Sequence, residues 1–384
     1  MVDSKPPRLD TPFARKGRGA LSNHEGRFAL QSVDRGLLAE MVGEGISKHA
    51  DFLDDDVEQP FENLLKTQLI AEKAKTIITK NQSPDVPFEQ SINPYQGCEH
   101  GCIYCFARPT HSYWDLSPGL DFETKIFYKE NARELLTKAL GKRNYQCKPI
   151  ALGANTDPYQ PVEKQLNITQ DILEVLHQYR HPVTIVTKGS LITRDLDILS
   201  DMASNNLVSV AISLTTLDVS LKNIMEPRAC APKRRLAAIK ELTAAGVPVS
   251  VLASPMIPFI NDSELEAILA AAREAGAHSA SYIFLRLPHE IKDLFVEWLQ
   301  DHFPDRAARV LNTIKAARKG KLYQSEFGQR MRGDGVFADL LAKRFQVAIS
   351  RLGYQQRNSF QLATEHFVAP GRCGDSSAGQ LTLF

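Results

Sequence analysis

The sequence predicts an α/β fold, a partial TIM-like (β/α)6 barrel with an N-terminal extension and a C-terminal helical segment. Three observations predict it. Short runs rich in β-branched residues recur from about residue 91 to 290, longer helical stretches separate them, and polar loops follow several of the runs directly. With 384 residues, 43% hydrophobic and 24% charged, the chain can bury one large core or two modest ones.

Taken in order, residues 1–75 are Gly- and charge-rich and read as an extension wrapping a core domain. Within them, Glu62 to Lys75 has the spacing of an amphipathic helix. The barrel is expected over residues 76–290, with a first strand ending near Pro94. Five more strands are PIALG (149–153), PVTIVT (182–187), LVSVAIS (207–213), PVSVLAS (248–254) and SYIFLRL (281–287). Each is apolar enough to be buried on both faces of a parallel sheet. Helices are predicted at 163–180, 193–204, 232–246 and 262–275, the last opened by Asp262 or Ser263 as cap. Gly246 and Gly276 fit helix C-termini, where a left-handed residue is usually glycine. Residues 291–357 read as a basic helical region appended to the barrel, and 358–384 as a flexible tail.

The net charge of +1 conceals a patterned chain. Asp34 to Glu62 holds nine acids against Arg35 and Lys48, whereas Asp305 to Arg357 holds twelve Lys and Arg against four acids. The basic set includes Arg318, Lys319, Lys321, Arg330, Arg332, Lys343 and Arg344. Such a stretch either follows a phosphate backbone or forms a solvated helix face. The first residues lack the apolar core of a signal peptide and no run approaches a membrane span, so a cytoplasmic protein with no membrane contact is expected. A reducing compartment keeps the six cysteines as thiols. Cys147, Cys230 and Cys373 stand alone and are expected to be buried or incidental.

In barrels of this type chemistry gathers on loops at the C-terminal ends of strands. The loop after the first strand reads NPYQGCEHGCIYCFARPTH and places Cys98, Cys102 and Cys105 within eight residues. Structural zinc usually takes two separated cysteine pairs, so zinc would need His100 or His111 as a fourth ligand here. Ferredoxin-type clusters use four thiolates, and no fourth cysteine lies nearby. Three thiolates on a four-iron cluster leave one iron open to a substrate or cofactor.

The CxxxCxxC spacing, with Tyr104 before the third cysteine, resembles the radical S-adenosylmethionine superfamily. The resemblance implies a [4Fe-4S] cluster on Cys98, Cys102 and Cys105 whose open iron is chelated by S-adenosylmethionine. It further implies one-electron cleavage to a 5'-deoxyadenosyl radical that abstracts hydrogen from substrate. An electron donor such as flavodoxin or ferredoxin follows as a partner. Asn155, Thr156 and Asp157 stand where the superfamily binds the methionine ammonium, with Asp157 preferred because a carboxylate makes a charge-assisted bond; its other reading is an Asx turn ahead of Pro158. Ser213 ends a strand where the family contacts the ribose, or is a plain strand-end hydroxyl. Arg228 in MEPRACAP suits the methionine carboxylate, or an ion pair with Glu226.

Within the superfamily, SINPYQGCEHGCIYC and GANTDPYQPVE resemble the spore photoproduct lyase, DNA-repair-photolyase-like branch, over roughly residues 76–290. The resemblance is strongest to a bacterial subgroup sharing the full cysteine run. It implies DNA, or a DNA lesion, as substrate and a lyase or other radical-based reaction. One departure qualifies this. The lyase's hydrogen-returning cysteine lies just ahead of the segment matching Asn155–Asp157, and Ala154 stands there.

The chain closes with Gln380-Leu381-Thr382-Leu383-Phe384, which resembles the bacterial sliding-clamp binding motif, with Gln380, Leu381, Leu383 and Phe384 as docking residues. The other reading is a terminus that frays or packs on its own domain. Three functions are thus weighed: a radical enzyme on nucleic acid, the same chemistry on a protein or small molecule, and a zinc-stabilised, non-catalytic clamp-binding adaptor.

Overall fold

A computed structural model describes residues 17–28, 66–355 and 361–370. Its strands are β1 (Gln68–Glu72), β2 (Thr79–Lys80), β3 (Gln90–Ile92), β4 (Tyr95–Gln96), β5 (Lys125–Lys129), β6 (Ile150–Leu152), β7 (Val183–Thr187), β8 (Val208–Ser213), β9 (Val249–Met256) and β10 (Ser279–Phe284). The main sheet runs β10-β9-β8-β7-β6-β3-β2. From β3 to β10 all neighbours are parallel and follow chain order, with β2 antiparallel on the edge. The α/β class and the six parallel strands are as predicted, and β3 ends two residues before Pro94.

Burial differs from the expectation of two covered faces. Val183, Ile185, Val208, Val210, Ile212, Val249 and Val251 are buried beneath the helices, while the alternating Thr184, Val186, Ser209, Ala211, Ser250 and Leu252 stay partly accessible. The second face of these strands is thus left partly open, with hydroxyl, small and apolar side chains alike.

The helices are α1 (Leu120–Thr124), α2 (Ala132–Leu140), α3 (Glu163–Leu166), α4 (Ile168–Gln178), α5 (Leu196–Ser204), α6 (Val219–Met225), α7 (Pro232–Ala244), α8 (Leu265–Glu274), α9 (Ile291–His302), α10 (Pro304–Ala316), α11 (Gln329–Arg332) and α12 (Val336–Arg351). The predicted helix 163–180 breaks at Asn167, whose φ of 55° ends α3 and starts α4. Neither Asp262 nor Ser263 caps α8. A 3-10 turn covers Asp262–Glu264, and Asp262 Oδ1 instead accepts the Phe259 N–H at 2.6 Å. Gly246 and Gly276 have φ of 80° and 111°, as their expected positions beyond helix ends require.

Three further corrections come from pairing across long separations. The stretch expected as a helix from Glu62 holds β1, parallel to β5 in a three-stranded sheet ordered β1-β5-β4. QLIAE satisfies its backbone groups on β5, and that long-range partner overrides a local helical spacing. Three cations of the basic region are tied to the fold and a fourth pairs on the surface. Arg318 donates to the carbonyls of Phe284, Leu285, Gln329 and Arg330, Arg330 forks onto Asp85, Arg344 reaches Glu266 and Asp262, and Lys319 pairs with Glu326. The flexible tail does not start at 358: Ala363 N–H donates to Asn206 O at 2.9 Å, Val368 N–H to Tyr179 O at 3.0 Å, and Phe367 packs on Tyr145 and His181. Residues 380–384 and Cys373 lie outside the described residues. Among the described residues no helix is long and apolar enough to cross a membrane.

Candidate active site

The cysteine loop leaves β3 through β4 and is held from beneath by one arginine. Fully buried Arg108 donates to Cys102 O at 2.9 Å, Gly101 O at 3.1 Å, Pro118 O at 3.1 Å and Gly119 O at 2.9 Å, and it pairs with buried Glu123. Glu123 also accepts the Gly19 and Ala20 N–H groups at 2.9 and 2.8 Å, which fastens part of the N-terminal extension to the loop. Gly101 takes φ of 67°, and a Cβ there would come within 2.9 Å of the Glu123 carboxylate, so only glycine fits the turn between Cys98 and Cys102.

Cys98 and Cys102 are buried and Cys105 is partly so. Burial raises all three thiols, so a metal group binding there displaces their protons. Among the described residues no three His, Cys, Asp or Glu side chains converge closely enough for one ion. The histidines are also engaged elsewhere: His100 Nδ1 lies 3.3 Å from Asp157, and His111 Nε2 lies 3.0 Å from Lys125 O. Burial lowers His111 to about 4.

Tyr104 reaches across to the end of β8. Its hydroxyl donates to the Glu226 carboxylate and sits 3.2 Å from Thr215 Oγ1, while Glu226 is paired with buried Arg235. Arg228 therefore does not pair with Glu226; its Nη2 is 3.0 Å from Glu99, and its buried Nε has no partner. Thr156 Oγ1 donates to Tyr95 O at 2.7 Å, and Asn155 N–H donates to Asn93 Oδ1 at 2.8 Å. Asp157 makes the Asx turn to Tyr159 N–H at 2.9 Å and also accepts from Thr187 Oγ1 at 2.6 Å and Lys188 N–H at 2.7 Å. Burial alone would raise its carboxyl, but His100, Thr187 and Lys188 together hold it at about 2.

Ser213 lies at the end of β8 and accepts a hydrogen bond from Lys188 Nζ at 3.1 Å. Sequence reasoning missed Lys188, although its place directly after the strand PVTIVT marks it as a mouth residue. Its ammonium sits 5.8 Å from the Tyr104 ring centroid and favours the charged forms of Cys102 and Cys105. Ser254, at the end of β9, has a buried hydroxyl without a partner, and its carbonyl accepts from Ser213 and Thr215. A cation, two hydroxyls and a carboxylate thus surround the exit of the cysteine loop. Cys230 is near as well, its thiol donating to Lys188 O at 2.7 Å.

Comparison with known proteins bears on the family and the fold. The profile of the radical SAM superfamily matches residues 92–272. An uncharacterised protein of Mycobacterium tuberculosis is 37% identical over 226 residues, 58% of this chain and 66% of that protein, so the match spans just under two thirds of that relative. An uncharacterised protein of Methanocaldococcus jannaschii is 27% identical over 240 residues, 62% of this chain and 85% of that one. Among solved structures, a spore photoproduct lyase variant superposes with a TM-score of 0.54 at 17% identity, covering 74% of this chain and 79% of its own. Spore photoproduct lyase complexed with dinucleoside spore photoproduct gives 0.53 at 16% identity, covering 79% and 85%. At those identities the likeness is one of fold.

Proposed function

We propose, from the match of residues 92–272 to the radical SAM superfamily, that the chain is a radical enzyme in which Cys98, Cys102 and Cys105 hold a [4Fe-4S] cluster and the mouth of the barrel holds S-adenosylmethionine. When bound, the two supply one-electron cleavage of the sulfonium and a radical that removes hydrogen from a substrate. The observation that carries this reading is the Lys188–Ser213 pair, 3.1 Å apart at the ends of β7 and β8, beside the cysteine loop. Lys188 and Ser213 offer a cation and a hydroxyl to the methionine carboxylate, the task expected of Arg228. Arg228 instead positions the loop through Glu99. Asp157 keeps its charge near neutral pH and offers it to the methionine ammonium, with Asn155 alongside, while Thr156 fixes the loop through Tyr95. Tyr104, held by Glu226, presents its ring to the same space.

The full chain, reconstituted with iron and sulfide under anaerobic conditions and reduced, should release 5'-deoxyadenosine from S-adenosylmethionine. A full cluster without that product would overturn the reading. Lys188→Ala should weaken S-adenosylmethionine binding by about 10- to 100-fold, the loss of one charge-assisted hydrogen bond; equilibrium dialysis of the loaded protein measures it.

The proposed substrate is nucleic acid or a DNA lesion. Spore photoproduct lyase, complexed in one structure with a dinucleoside lesion, shares the fold. With Ala154 at the place of the lyase's thiol, the hydrogen is not returned from that position. A cytoplasmic setting with a flavodoxin or ferredoxin as reductant belongs to the same proposal, supported by the need to keep the three thiols reduced. The last residues, Gln380 to Phe384, are proposed to dock the bacterial sliding clamp. Burial of Leu381, Leu383 and Phe384 contributes roughly 1.5–3 kcal/mol each before ordering costs. Deleting Leu383 and Phe384 should remove clamp binding in a pull-down with purified clamp, and retained affinity would refute the docking.

A further inference from the structure

β10 ends at Phe284, and Arg286 follows two residues later, at the end of the sheet where the cysteine loop sits. Its guanidinium carbon lies 5.4 Å from the ring centroid of Phe106, the residue after Cys105, and that ring is 46% exposed. The guanidinium is poorly served. Nη1 reaches only the thioether of Met331 at 3.3 Å, a weak acceptor, and the buried Nε has no partner. No carboxylate pairs with Arg286 among the described residues.

A second cation stands close by. Arg318 is fully buried, its two Nη groups committed to backbone carbonyls and its Nε without a partner, and burial followed by the charge of Arg286 lowers it to about 10. Two neighbouring arginines without an acid are costly in a partly desolvated place. An anion at Arg286 offsets both the repulsion and the unmade hydrogen bonds.

We propose that Arg286 and Phe106 form a substrate subsite in which the guanidinium takes a phosphodiester of single-stranded nucleic acid and the Phe106 ring takes the adjoining base. A planar fork matches phosphate geometry, and an exposed ring offers a stacking face to any unpaired base. The site lies on the sixth parallel strand, away from the β7–β8 ends assigned to the cofactor. The inference rests on the nucleic-acid reading above, but its test does not use cofactor cleavage, so the two fail separately.

The test is equilibrium binding of a short labelled oligothymidylate to the full-length, cluster-loaded protein across a series of salt concentrations. Arg286→Gln should weaken binding by about 10- to 100-fold and make the log–log salt slope shallower by about 0.7, the loss of one phosphate contact on a single strand. Phe106→Leu should weaken it by roughly fivefold or more with the slope unchanged. Because Arg286→Gln removes one of two like charges, the unliganded variant should melt no lower than the parent. Should it nevertheless unfold, the Phe106→Leu result decides. Unchanged affinity in Phe106→Leu, an unchanged slope in folded Arg286→Gln, or tighter Arg286-dependent binding of an acidic peptide than of the oligonucleotide would each overturn the proposal.

Discussion

Cys102→Ala is expected to yield a folded protein that retains too little iron and sulfide for one cluster and releases 5'-deoxyadenosine at less than about one hundredth of the parent rate, since even outer partners of a metal site are worth 10- to 100-fold. Cys102 belongs to a buried apolar cluster that includes Ile103, Tyr104 and Leu120, so removing one sulfur costs some packing and leaves the loop's hydrogen bonds in place. Arg108 still donates to the Cys102 carbonyl. What disappears is one of three anionic ligands, with no fourth cysteine in the loop to replace it. Cys147→Ala serves as the comparison because Cys147 precedes β6, at the opposite end of the strand from the cysteine loop. Iron and sulfide analysis with electron paramagnetic resonance of the reduced protein reads the cluster directly. A full cluster signal with full cofactor cleavage in Cys102→Ala would remove the cysteine triplet from the site.

Arg108→Ala is expected to destabilise the protein by about 3–5 kcal/mol, the cost of breaking a buried ion pair from one side. Arg108 and Glu123 are both 0% exposed, and the carboxylate would lose its direct ion pair while keeping the Gly19 and Ala20 N–H groups and the nearby charge of Arg18. Four carbonyls of the cysteine loop and its following turn also lose their donor. Chemical denaturation of the metal-free chain measures the first effect, and cluster retention on gel filtration measures the second. Adding Glu123→Gln to Arg108→Ala should recover part of the stability, because the stranded charge is gone. A loss below about 1 kcal/mol, the range of an exposed pair, would mean that water reaches this ion pair.

The most local features were the most legible. The cysteine spacing, the β-branched strand runs and the glycines beyond α7 and α8 depend on near neighbours, so a linear reading finds them. Reading failed at QLIAE, where β1 pairs with β5 across more than fifty residues, and at Asp262, displaced from its capping task by a 3-10 turn. It also failed for residues 361–370, whose docking rests on Asn206 and Tyr179. The basic region looked like one surface, yet Arg318, Arg330 and Arg344 are consumed by carbonyls and carboxylates that no charge count reveals.

The sequence by itself determined the three thiols on one loop, the order of six parallel strands and the set of polar residues at their ends. Only the tertiary structure decided which of those polar residues are already spent. Thr156 is bound to Tyr95 O and Arg228 reaches Glu99, whereas Asp157 is oriented by Thr187 and Lys188 with its charge kept, and Lys188 meets Ser213 beside the cysteines. The reason is that a polar group's availability is set by partners brought near it through space. Arg228 and Glu99 are 129 residues apart along the chain, and Tyr104 and Glu226 are 122 apart. Residue type and spacing record what chemistry a side chain can do, and packing determines whether it is free to do it.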